Sequence, residues 1–199
     1  MRRVALMILM SIAVAAADDK DKLPFKAGPA SSYPGFQSLD KITIAAVPFV
    51  TKEQAQTAFG KVNPYDHGIL PVLVVLENAT GKALRLDLQA EYVRPDRKHL
   101  DAVPPQDVGH LQGAQRPRMP GTSPNPIPLP RKAKKSPLDI WEIPGRAFSV
   151  HMAPVGESVS GFFYFQTMYE PGSKLYLTGI KDAASGKDYF YFEVPLILK

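Results

Sequence analysis

The chain contains no cysteine, and this absence removes several classes of protein from consideration. Without cysteine there is no disulfide, no thiolate metal site, no cysteine nucleophile and no lipid anchor on a cleaved cysteine. A core of the size that this length permits is stable without cross-links, so the lack of disulfides does not argue against an oxidising compartment. We therefore expect a fold held together by hydrophobic burial alone.

Long hydrophobic runs are also lacking. The uncharged run from Val4 to Ala17 has fourteen residues, fewer than the roughly 20 that a membrane-spanning helix needs. It follows Arg2 and Arg3 and ends in small residues, a pattern typical of a secretory signal. Residues 1–17 are therefore predicted to be a signal peptide, and the protein is expected to be exported to the periplasm or outside the cell. No transmembrane segment is expected after removal of the signal, because no later uncharged run reaches 18 residues.

Positive charge is concentrated in one segment. The net charge is +5, but residues 108–138 contain no acid. The six basic residues of this segment are Arg116, Arg118, Arg131, Lys132, Lys134 and Lys135. Six cations on one extended segment suit an anionic partner, so they are the predicted binding residues for an envelope protein, a lipid headgroup or a polysaccharide. The alternative is a solvated loop, and nucleic acid is not expected because the rest of the chain is not basic.

The same segment interrupts the predicted domain. Residues 109–137 contain seven prolines, which lack the N–H that a strand ladder requires, and few apolar side chains. We predict a disordered Pro-rich stretch within a single domain that spans residues 41–199. Residues 18–40, rich in charge, proline and glycine, are predicted to form a flexible N-terminal arm.

Strand patterns dominate the rest of the chain. Apolar residues alternate with polar ones from Leu84 to Tyr92, which is the clearest strand signal. Asn78-Ala79-Thr80-Gly81, just before it, predicts a hairpin. Six other short segments rich in apolar residues are predicted strands: 41–50, 69–76, 147–152, 159–167, 174–181 and 188–198.

One short helix is also predicted. Thr51 and Gln54 have the spacing of a capping box, in which each side chain accepts from the other residue's backbone N–H. Ala55, Ala58 and Phe59 follow with helical spacing, and Gly60 is a suitable C-terminal stop. The helix is expected to have about two turns.

These elements predict an all-β protein: an antiparallel β-sandwich of about seven strands with one short helix and the long Pro-rich basic excursion. A closed barrel is the alternative. The run from Gly68 to Leu88 (GILPVLVVLENATGKALRLDL) resembles the second and third strands of exported bacterial immunoglobulin-like modules, and so does VGESVSGFFYF at 155–165. The resemblance implies an immunoglobulin-like sandwich and transfers no functional residue.

Patterns for catalysis are weak. Ser158 lies in a near match to a Gly-x-Ser-x-Gly elbow, but the second glycine is replaced by Ser160 and no helix follows, so a turn before a strand is expected. Acids and histidines between residues 96 and 110 are too few and too irregular to predict a metal site. No catalytic residue, metal ligand or cofactor is therefore expected, although an unrecognised pair of carboxylates would make the protein a periplasmic hydrolase.

Aromatic residues cluster in two of the predicted strands. They are Phe162, Phe163, Tyr164, Phe165, Tyr189, Phe190, Tyr191 and Phe192. Alternate members of a strand face opposite sides, so half of them are expected to face away from the core, where they either form a binding platform or lie under a loop. The sequence thus predicts a non-catalytic binding or interaction module of the cell envelope. The alternative binding function is recognition of a carbohydrate or another small ligand through an exposed aromatic face.

Overall fold

The computed structural model describes residues 25–111 and 136–198, so the predicted signal peptide of residues 1–17 lies outside the described residues. In chain order the elements are β1 (Phe36–Leu39), β2 (Ile42–Pro48), α1 (Lys52–Phe59), β3 (Leu70–Asn78), β4 (Leu84–Val93), β5 (His99–Asp101), α2 (Glu142–Gly145), β6 (Met152–Ala153), β7 (Ser158–Phe165), β8 (Lys174–Asp182) and β9 (Tyr191–Pro195). The protein is therefore mostly β, as predicted, with more strands than expected.

The strands form two antiparallel sheets. Sheet A has the order β1-β2-β3-β7, and sheet B has the order β5-β4-β8-β9, with β6 also paired to β4. The two sheets approach each other at β1 and β9, where the Gln37 Oε1 atom accepts from the Glu193 N–H at 2.9 Å. Among the described residues, β1 and β9 are joined here by a side-chain hydrogen bond and are not paired as neighbouring strands. The two sheets are therefore separate, as in a sandwich.

The main core lies between the sheets. Strand β4 keeps the predicted alternation, with Leu84, Leu86, Ala90 and Tyr92 buried. Its other residues, such as Arg85, face solvent on the outer side of sheet B. Burial of one face of an antiparallel strand is what stabilises it against register slips.

In sheet A, in contrast, β2 and β3 are buried on both faces, whereas the edge strand β1 is mostly exposed. A second apolar cluster covers its outer side, where Val47, Leu73 and Val75 pack against Ala58 and Phe59 of α1. This covering explains why β3 has an almost uninterrupted apolar sequence, because both sides of the strand are removed from water.

Helix α1 confirms the predicted capping box. Thr51 Oγ1 accepts from the Gln54 N–H at 3.2 Å, and Gln54 Oε1 accepts from the Thr51 N–H at 3.1 Å. The helix ends at Gly60, whose φ of 70° is readily available to glycine. Local chemistry therefore determines both ends of this element.

The predicted hairpin at Asn78 is wrong. Strands β3 and β4 belong to different sheets, so the connection is a corner of the sandwich. The buried Asn78 side chain holds the corner: its Nδ2 atom donates to the carbonyl oxygens of Lys82, Ala153 and Pro154 at 2.7, 3.0 and 3.0 Å. A turn-forming residue therefore links three chain segments instead of closing a two-strand ribbon.

The predicted strand at 147–152 is also wrong for most of its length. The Phe148 N–H donates to the Phe162 carbonyl oxygen in sheet A, and the His151 carbonyl oxygen accepts from the Leu86 N–H in sheet B. The segment crosses from one sheet to the other, so only Met152 and Ala153 form a ladder, with β4.

Part of the predicted N-terminal arm packs onto sheet A. Phe25 contacts Phe49 and Phe162, with ring centroids 6.0 and 5.5 Å apart, and Ala30 is fully buried. Strand β1 then pairs with β2. This segment has no periodic pattern because it contributes single apolar residues to the packing and not a repeating face.

The predicted Pro-rich stretch lies mostly outside the described residues, which stop at residue 111 and resume at residue 136. The flanks are adjacent: a Cβ placed on Gly109 would lie 3.4 Å from the Asp139 Cα. Leu138 and Ile143 are buried on the outer side of sheet A, whereas Trp141 is 71% exposed. The return of the chain onto the core is therefore anchored by Leu138 and Ile143 and not by Trp141.

Candidate functional site

An open groove of about 460 Å³ crosses the outer face of sheet B. It is lined by Asp87, Gln89, Tyr176, Thr178, Gly179, Lys181, Asp188, Phe190 and Tyr191, and we call these residues the aromatic groove. The groove uses strands β4, β8 and β9, in which Gln89 is opposite Thr178 and Thr178 is opposite Tyr191. Three adjacent strands thus place ring and polar side chains side by side.

A β-bulge shapes the floor of the groove. The register between β4 and β8 shifts so that Asp87 and Leu88 both lie opposite the single residue Gly179. Gly179 has a φ of 88°, and a Cβ at this position would lie 2.0 Å from the Asp87 carbonyl oxygen. Only glycine fits, because any side chain at this position would run into the backbone of β4.

Three aromatic rings line the groove. Tyr176 and Tyr191 are stacked, with ring centroids 5.3 Å apart and an interplanar angle of 27°. Tyr191 is 51% exposed and Phe190 is 77% exposed. A row of rings on a solvent-exposed face is unusual, because exposure of a large apolar surface to water is unfavourable. Such rows commonly serve binding.

Phe190 has a strained backbone. Its φ of 58° lies in the left-handed region that bulky residues avoid. The Phe190 N–H donates to Asp188 Oδ1 at 2.8 Å, which holds this conformation. Strain of this kind costs on the order of 1–2 kcal/mol. The Phe190 ring is exposed, so its burial does not offset this cost. The position is therefore a candidate for binding and not for stabilising the fold.

The hairpin that carries Phe190 is fixed by a buried carboxylate. Asp182 accepts from the N–H groups of Ala184 and Ser185, each at 2.9 Å, and from Lys82 Nζ at 2.8 Å. The Lys82 ammonium and these N–H groups stabilise the ionised form and hold the pKa of Asp182 well below its usual range. Strands β8 and β9 are antiparallel neighbours, so the connection that Asp182 holds is a hairpin.

The charges of the groove are paired. Arg85 Nε lies 3.2 Å from Asp87 Oδ2, and Lys181 Nζ lies 3.9 Å from Asp188 Oδ2. The two carboxylates that line the groove are therefore each matched by a cation. The paired groups still present hydrogen-bond donors and acceptors beside the rings.

The aromatic cluster expected from the sequence is divided by the fold. Phe162, Tyr164, Phe165 and Phe192 are buried. Phe163 and Tyr189 are partly buried against the main core. Only Phe190 and Tyr191 are exposed.

Tyr176 was missed by the sequence reasoning. The signal that could have found it is its place between the buried residues Leu175 and Leu177 in β8. An aromatic residue between two inward-facing leucines must face outward.

The six predicted basic binding residues, Arg116, Arg118, Arg131, Lys132, Lys134 and Lys135, all lie outside the described residues. They stay a prediction.

The other sequence-based candidates are placed as follows. Ser158 begins β7 after a turn, with no helix behind it, so the elbow interpretation is excluded by its context. His99 Nδ1 lies 2.5 Å from Glu91 Oε2 on the outer face of sheet B. Across residues 25–111 and 136–198, no group of three or more histidines and acids is arranged to hold a metal ion.

A second cavity of about 450 Å³ lies beside α1, between Gln56, Lys61 and His67. Its lining contains no Phe, Tyr or Trp, and most of its polar side chains are exposed. The exposed Trp141 is on the side of the second cluster, next to Gly145. Neither feature combines rings with convergent polar groups as the aromatic groove does.

No protein-family model matches the chain, and no curated protein is similar to it at a significant level. Within the described residues, no helix has the length and apolar character required to span a membrane. Function is therefore inferred from the geometry of the aromatic groove.

Proposed function

We propose that the protein is an exported, non-catalytic binding module of the cell envelope that binds its ligand in the aromatic groove. The observation that carries the proposal is the exposed Phe190 ring, held in a left-handed backbone conformation by Asp188 beside the stacked Tyr176 and Tyr191. Left-handed backbone also occurs at Asp40, Lys41 and Arg97, but Phe190 combines it with an exposed aromatic ring in a groove. Strain of this kind clusters at binding sites, which supports a role of the ring in recognition. Export is supported by the pattern of residues 1–17.

We also propose that the sandwich is immunoglobulin-like. Strands β2, β3 and β7 are neighbours in one sheet, and β4, β8 and β9 are neighbours in the other. This distribution supports an equivalence with the A-B-E and C-F-G strands of immunoglobulin domains. On this basis, the aromatic groove lies on the C-F-G sheet.

The test of the binding role is retention on cell envelopes prepared from the source organism. The variant Phe190→Gly removes the ring and relieves the left-handed strain, because glycine adopts this φ freely. We expect it to melt no lower than the wild type and to lose retention. Trp141→Ala, which removes an equally exposed ring away from the groove, is the matched control and is expected to be retained.

Equal retention of Phe190→Gly and the wild type would remove the groove as the binding site. Export is tested separately by fractionation and N-terminal sequencing, with a mature protein beginning at Asp18 expected. Recovery of the intact chain in the cytoplasm would contradict that part of the proposal.

A further inference from the structure

We infer that the ligand of the aromatic groove is an uncharged carbohydrate chain; this inference rests on the proposed binding function. The first reason is the combination of surfaces. Stacked Tyr176 and Tyr191 offer flat apolar faces that suit the C–H faces of a sugar ring. Gln89 and Thr178, directly opposite each other at the groove floor, offer an amide and a hydroxyl to sugar hydroxyls.

The second reason is charge. Asp87 is paired with Arg85 and Asp188 with Lys181, so the groove presents polar groups with no net charge. An anionic chain would meet two carboxylates, and a cationic one would have to displace two cations that are already in place. Neither would gain the charge complementarity that drives charged recognition. An uncharged, hydroxyl-rich ligand can hydrogen-bond to both members of each pair without disrupting them.

The third reason is shape. The groove is open and crosses three strands, so a chain can pass through it, with Phe190 rising from the β8–β9 connection at one side. Phe190 lines the same groove as Tyr191, so its ring can contact a sugar unit next to the one on Tyr191. Because Tyr176 and Tyr191 are already stacked on each other, these two side chains lose little freedom on binding.

The test uses the full mature protein and soluble polysaccharides in native affinity electrophoresis and calorimetry. The neutral probes are hydroxyethyl cellulose, xylan, galactomannan and oligomers of N-acetylglucosamine. Carboxymethyl cellulose is the charged counterpart of the first probe. We expect one or more neutral probes to bind, with an affinity that changes less than about twofold between low and high salt, because no net charge is neutralised.

Tyr191→Ala should weaken binding of that neutral probe at least tenfold, the effect of truncating a central aromatic contact. Tyr191→Phe should restore most of the affinity because it keeps the ring, and Trp141→Ala should leave it unchanged. Melting temperatures of all three variants show whether each is folded.

Three outcomes would overturn the carbohydrate inference: no binding to any neutral probe, preference for carboxymethyl cellulose, or equal affinity of the wild type and Tyr191→Ala. The envelope-retention assay separates this failure from that of the proposed function. If retention still depends on Phe190 while every glycan is negative, the groove binds another class of ligand, such as a protein. If retention is independent of Phe190, both proposals are wrong.

Discussion

Asn78 offers the sharpest test of the fold, because a single isosteric change there replaces a buried hydrogen-bond donor with an acceptor. In the wild type the Nδ2 atom donates to three carbonyl oxygens at 2.7, 3.0 and 3.0 Å, and the residue is 1% exposed. Asn78→Asp keeps the shape and replaces this donor with an oxygen. The two N–H donors that these three carbonyl oxygens share are lost, at about 0.5–1.5 kcal/mol for each donor, and a carboxylate oxygen is left facing three acceptors.

The expected loss in the free energy of unfolding is about 3–5 kcal/mol at pH 7. For a domain of this size this corresponds to a fall in melting temperature of about 6–20 °C. One oxygen of the new carboxyl keeps the N–H and hydroxyl donors of Thr80, at 3.1 and 2.7 Å. The other oxygen has no donor and faces three carbonyl oxygens in a buried position, so the pKa of the carboxyl in the folded state is raised above that in the unfolded state. The loss in the free energy of unfolding is therefore complete at pH values above the raised pKa of the folded state. It decreases as the pH falls toward the pKa of the unfolded state, about 4.

The matched control is Asn63→Asp. Asn63 Oδ1 accepts from the Tyr65 N–H at 3.2 Å, while its Nδ2 has no partner. The same chemical change here keeps the only observed side-chain bond, but Nδ2 is itself buried, so we expect a smaller loss than at Asn78, about 1–2 kcal/mol. Urea unfolding followed by circular dichroism at pH 7 and pH 5 measures both variants. Similar losses at Asn78 and Asn63, or a loss at Asn78 of less than 1 kcal/mol, would refute the corner role of Asn78.

Two further predictions concern the groove and its hairpin. Gly179→Ala should lower the free energy of unfolding by about 2–4 kcal/mol, because it adds left-handed strain and a contact of 2.0 Å with the Asp87 carbonyl oxygen. The control Gly186→Ala, at a φ of 72° with open space around it, should lower it by only about 1 kcal/mol. Equal melting temperatures of the two variants would contradict the close approach at Gly179. Asp182→Asn should remove a pH-dependent part of the stability, because the depressed pKa of Asp182 stabilises the wild type at pH above the unfolded-state pKa of about 4. This contribution is lost as the pH falls, so the free energies of unfolding of the two proteins should converge toward a pH of about 2. A constant difference between them would contradict the role of Lys82.

The sequence predicted those parts of the fold that depend on local chemistry. The Thr51–Gln54 capping box needs residues three apart, and the alternation of β4 needs only one buried face, so both were correct. The Asn78 corner was wrong because a turn residue carries no information about which sheet the next strand joins. That choice depends on partners such as Ala153, distant by 75 residues.

The aromatic groove was predictable only in part. The Phe190 and Tyr191 pair was among the aromatic candidates, but the sequence could not tell which rings the sandwich would bury. The Gly179 bulge and the left-handed conformation of Phe190 arise from the pairing of β4 with β8 and from the Asp188 side chain. Neither has a signature in the order of the residues.

The adjacency of Gly109 and Asp139 has a practical consequence for engineering the molecule. Leu111 and Leu138 pack against the core beside these two points, so we expect that residues 112–135 can be exchanged for a foreign epitope, a fluorescent reporter or a short glycine bridge with a small change in the entropy of chain closure. The scaffold thus provides a permissive display position, remote in sequence from the strands that form the aromatic groove.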